Sequence, residues 1–131
     1  MIEQIYINEA MRIREEFLEN LLYITKEEES VNKLISDLDT IKEQVENSDN
    51  KTEKYYRDSL FEINLMLIKA SDKITPFYNK KTDLDNQQRN LYNSIKDKYP
   101  NITDEQMQDE LIPYIHKIDL KFKKKHGNIL K

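Results

Sequence analysis

Two histidines, His116 and His126, are the first candidates for chemistry in this chain, and their spacing gives them little to do together. They stand ten residues apart with no second His or carboxylate at a metal-ligand interval, so neither a zinc site nor a general acid–base pair is written into them. His116 can meet Asp119 one helical turn on, which is ordinary surface pairing. The carboxylates of Glu27, Glu28 and Glu29, and the pairs Asp37/Asp39 and Asp83/Asp85, have the spacing of solvated helix faces. A calcium loop would need a central glycine and a full run of oxygen ligands, and neither is present. No Ser lies near a His in a nucleophile motif, and the single glycine of the chain excludes a glycine-rich phosphate loop. With no cysteine, thiol catalysis, disulfides and Cys-based zinc sites are excluded. The residues therefore nominate no catalytic group, metal ligand or cofactor, and the expectation is a protein that is not an enzyme.

One charge feature could bind a ligand. Lys117, Lys121, Lys123, Lys124 and Lys125, followed by Lys131, cluster near the C-terminus. Such lysines can neutralise phosphates, and eight tyrosines could stack on single-stranded bases. An oligomeric accessory protein for DNA or RNA is thus the second functional expectation. Against it, most of the tyrosines fall on apolar rows, and lysines at a helix end also complement the helix dipole. Asn50 and Asn101 open glycosylation triplets, but no secretory signal is evident, so they read as turn and cap residues.

Apolar residues set the elements that position these groups. Ala10, Phe17, Ile24, Val31, Leu38 and Val45 step by seven, with Ile13, Leu34 and Ile41 on a companion row. A second run repeats the pattern through Tyr56, Ile63, Ala70, Phe77, Leu84 and Leu91, beside Leu60, Leu67, Ile74 and Ile95. A seven-residue repeat holds one narrow seam toward a partner helix. Asn20 and Glu27 interrupt the first companion row; such polar seam residues can fix register, but Leu21, one position along, is expected to substitute for Asn20.

The resulting expectation is an all-α fold in a single domain: a long antiparallel hairpin with heptad seams plus a third, C-terminal helix, in the manner of a helical bundle or coiled coil. Helix 1 is predicted over residues 1–47, helix 2 over 52–99 and helix 3 over 104–126. Residues 48–52 form a polar turn, and Asn50 with Glu53 has the form of a capping box. Pro76 lies in phase with the repeat, so helix 2 should continue through it with a kink. Tyr99-Pro100 ends that helix. Thr103 and Gln106 then make a capping box, Ile102 and Met107 a hydrophobic staple, and Gly127 a C-cap. Met107, Leu111, Tyr114, Ile115, Ile118 and Phe122 form the apolar stripe of helix 3, with a second kink at Pro113. In such a hairpin residues 1–25 lie beside 76–99, where Phe17, Tyr23, Phe77, Tyr78, Tyr92 and Tyr99 should gather in a three-helix core, leaving a thinner two-helix arm toward the turn.

Composition agrees with thin helices: 37% of residues are hydrophobic and 35% charged. The net charge of −4 is unevenly spread. Residues 1–50 carry five Lys/Arg against thirteen Asp/Glu, a net of −8, and the remainder carries sixteen against twelve, a net of +4. The two helices of the hairpin should attract each other rather than themselves. No apolar run approaches the roughly 20 residues that span a bilayer, and no leader pattern opens the chain, so a soluble cytoplasmic protein without a membrane contact is expected. Heptad helices recur in unrelated proteins and identify no family. The first functional expectation is an adaptor, assembly factor or inhibitor that acts by protein contact through its helical seams, with homo-oligomerisation likewise expected.

Overall fold

The computed structural model describes residues 1–47 and 53–127 and contains three helices: α1 (Gln4–Glu46), α2 (Glu53–Lys98) and α3 (Asp104–His126). No strand occurs among the described residues, and the fold is an all-α helical bundle. The expected turn at 48–52 with its Asn50 cap, Lys131, and the side chains of Val45 and Tyr56 lie outside the described residues. α2 runs unbroken through Pro76 and α3 through Pro113. Continuity at Pro76 follows from the heptad phase, since packing on both sides of the ring outweighs one lost backbone hydrogen bond.

The chain divides into two compact units. The first comprises Met1–Leu22 with Asn79–Lys131, and the second Tyr23–Tyr78.

In the first unit, the beginning of α1 runs antiparallel to the end of α2, with Glu3 near Lys98 and Arg12 donating to Gln87 at 2.7 Å. α3 lies parallel to α1. The Ile2 backbone N–H donates to the Glu110 carboxylate at 3.2 Å, and Arg14 makes a two-pronged contact with Asp119 at 2.7 and 3.1 Å. Ile7, Ala10, Ile13, Leu91, Ile95, Met107 and Leu111 form the shared core, while Leu18, Leu84 and Ile95 are wholly buried.

α3 begins as its sequence dictates. The Thr103 hydroxyl accepts from the Gln106 N–H at 3.1 Å, and the Gln106 side chain accepts from the Thr103 N–H at 3.0 Å. Ile102 packs against the core that holds Met107. At the other end the Gly127 N–H caps Lys123, and φ of +77° suits glycine.

The second unit pairs the rest of α1 with the first half of α2, again antiparallel. Tyr23 stacks on Phe77 with centroids 5.3 Å apart, and Lys73 bonds Glu27 at 3.1 Å. Only Ile24 and Ile74 are buried among its described apolar residues.

The heptad rows are the inner faces of both units. Ile24, Leu84 and Leu91 are buried, whereas Phe17, Val31, Leu38, Ile63, Leu67 and Phe77 are half-buried. One expectation needs correction. Asn20 is itself in the seam at 3% exposure, with Leu21 half-buried beside it, because the phase set by Ile13, Phe17 and Ile24 carries position 20 inward. Tyr6 and Tyr99 meet edge to face in the first unit, and Tyr23 and Phe77 stack in the second.

Candidate functional site

On α2 in the second unit the seam residues Leu60, Ile63, Leu67, Ala70 and Ile74 turn toward α1. At 3.6 residues per turn Phe61, Leu65 and Ile68 fall roughly opposite that seam, on the face where polar residues are the rule. All three are large and apolar, with exposures of 65%, 43% and 59%. Met66, on the flank, is also exposed.

A counterpart in the first unit shows what such a stripe does. Ile7, Met11, Arg14 and Leu18 on α1 have the same four-three-four spacing as Phe61, Leu65, Ile68 and Asp72. There the stripe is covered: Ile7 and Leu18 are buried, Met11 packs on the core, and Arg14 reaches Asp119 of α3. In the second unit the equivalent stripe is bare. Single exposed apolar residues are normal on a protein surface, but three at helical spacing have the form of a helix-docking face. Ile112 and Leu120 on α3 are exposed too, but His116 separates them.

The other candidates offer less. A cavity of about 370 Å³ opens among the three helices of the first unit, walled by Ala10, Ile13, Phe17, Leu91, Leu111 and Ile115, with Arg14, Asp85, Gln88, Tyr92 and Gln108 contributing polar groups. Its cation is committed to Asp119, and Gln88 donates to the Tyr92 hydroxyl at 2.7 Å. No carboxylate pair or histidine lines it. Asp119, expected beside His116, is the partner of Arg14. Among the described residues, no group of three or more His, Asp or Glu side chains could hold a metal ion. None of their helices is long and apolar enough to cross a membrane.

Perturbed ionisation marks ion pairs rather than a reaction centre. Glu9 is held below the usual carboxylate range by its hydrogen bond from Arg12, whose own proton is held more tightly in return. Tyr78 is pushed above the ordinary phenol value by its hydrogen bond to Glu28.

The five lysines on α3 are all exposed, and four of them share one face. Lys117, Lys121, Lys124 and Lys125 span an arc of roughly 100°, and Lys123 points away from it. Lys121 and Lys125 share a shallow groove with Glu15 and Glu19 of α1, so carboxylates already face them. Lys117 lies over the Tyr114 ring at 5.9 Å.

Comparison with family models, curated proteins and solved structures finds no match for this chain.

The outward stripe was absent from the sequence expectation because the seven-residue rows account for one face of each helix. Its signal was present: Phe61, Leu65 and Ile68 are apolar residues at i, i+4 and i+7 that belong to neither row.

Proposed function

We propose that this protein works by protein contact rather than catalysis, as an adaptor or assembly component, and that its contact surface is the outward face of α2 marked by Phe61, Leu65 and Ile68. The single observation behind this reading is that stripe, three large apolar side chains held in register on a helix whose seam is already used within the chain. The reading thus moves the contact from the seams to the opposite face. An apolar stripe about two turns long suits an amphipathic helix or a similar helical face, which removes it from water at little entropic expense because the backbone is already ordered.

A photoreactive side chain at Leu65, with one at the exposed polar position Asn86 as control, tests this in the cells that make the protein. Discrete protein adducts at Leu65 and not at Asn86 are expected. If Leu65, Phe61 and Ile68 all give no adduct beyond the control, the reading fails.

A further inference from the structure

We infer that the occupant of this face is the same face of a second copy, packed antiparallel with Leu65 at the two-fold axis. The inference rests on the contact-surface reading above and adds to it the identity and register of the partner.

Charge placement carries the step. Along one edge of the stripe lie Asp58, Glu62 and Lys69, and near its ends lie Lys54, Arg57 and Asp72. All of these residues are exposed. When two identical helices pack antiparallel, the same edge of each faces the other. With Phe61 set against the partner's Ile68, Lys69 falls between the partner's Asp58 and the partner's Glu62, and the contact is repeated by symmetry. Asp72 then approaches the partner's Arg57. A parallel pairing instead stacks Asp72 on Asp72 and Lys54 on Lys54 at the two ends of the stripe's midline, where like charges repel. The pattern is therefore self-complementary in one orientation and self-repelling in the other. Such a face is what a two-fold, isologous contact requires.

Its size sets the strength. From Asp58 to Asp72 the stripe is about 21 Å long and about 10 Å wide. That is about 200 Å² per copy against about 800 Å² in a standard interface, so the pairing belongs with weak, transient contacts. Dimers form where the local concentration is high and separate on dilution.

The absence of cysteine makes the test direct. Leu65→Cys introduces one thiol per chain, opposite its own copy across the axis, and mild oxidation should give a covalent dimer. Phe61→Cys alone should not, but an equimolar mixture of Phe61→Cys and Ile68→Cys should. Sedimentation of the parent from about 1 to 500 µM should show the 15.8 kDa species giving way to one of twice that mass. The triple variant Phe61→Ser, Leu65→Ser, Ile68→Ser should remain monomeric. As a second variant that leaves packing untouched, Glu62→Lys should weaken association about tenfold, and adding Lys69→Glu should recover part of it.

A parent that is monomeric throughout overturns the self-pairing, while adducts of Leu65 with a different protein would leave the contact-surface reading standing. Self-crosslinking through Phe61→Cys overturns the antiparallel register. A dimer that survives the triple serine variant overturns the face.

Discussion

Tyr78 and Glu28 show how a single pair on this surface answers to pH. The neutral phenol donates to the carboxylate, so removing its proton replaces a hydrogen bond with two adjacent negative charges. The folded-state pKa therefore lies above the ordinary phenol value, and burial and the charge of Glu28 push the same way. The contact contributes stability in full below the unfolded phenol pKa of about 10 and loses it as pH rises through the folded value. Absorbance titration near 295 nm should show Tyr78 ionising at lower pH in Glu28→Gln than in the parent. Asn20 is a different case, a polar side chain at 3% exposure in the seam. Asn20→Asp preserves its shape but buries a charge, so the variant should lose about 2 kcal/mol or more at pH 7. The buried carboxyl resists ionising, so its folded pKa rises and much of that loss should vanish near pH 4, as thermal melts at the two pH values would show. Equal losses at both would mean that water reaches position 20.

Each helix carries more than its seam, and energetic weight follows the second faces. Leu18 belongs to neither heptad row yet is wholly buried in the three-helix unit, so Leu18→Ala should lower stability by roughly 2–5 kcal/mol in urea titration. Thr103→Ala, which removes one side of the capping box, should lower it by about 1 kcal/mol. The difference separates a core position from a helix-end position. The number and order of the helices, the cap at Thr103, the C-cap at Gly127 and the inner face of each long helix were legible in the sequence. Each depends on a local pattern or on a repeat that one partner helix satisfies. The burial of Ile7 and Leu18 was not, because it depends on where α3 lies, and a row of seven residues assigns only one neighbour per helix. The same limitation hid Phe61, Leu65 and Ile68. A helix that must satisfy two partners shows two stripes, and the four-three-four spacing shared by Ile7–Leu18 and Phe61–Asp72 is the pattern that reveals the second one.

At the scale of the whole molecule the two units differ in how much apolar surface they remove from water. Ile24 and Ile74 are the buried apolar residues described in the second unit, while the first buries residues from all three helices around one core. Local opening costs least where few apolar contacts are broken, so amide exchange should divide the chain. Amides near Ile13, Leu91, Ile95 and Leu111 should exchange slowest, and those along Val31–Leu38 and Ile63–Leu67 considerably faster. The proposed self-pairing adds a second, concentration-dependent layer to that profile. An interaction that binds only the folded second unit stabilises it by mass action. Raising the protein from about 5 to 500 µM should therefore slow exchange between residues 58 and 72 several-fold. Slowing confined to amides outside residues 58–72 would place the contact elsewhere. No slowing at any amide would mean that the stripe stays bare to another copy, and that the partner it fits is a different protein.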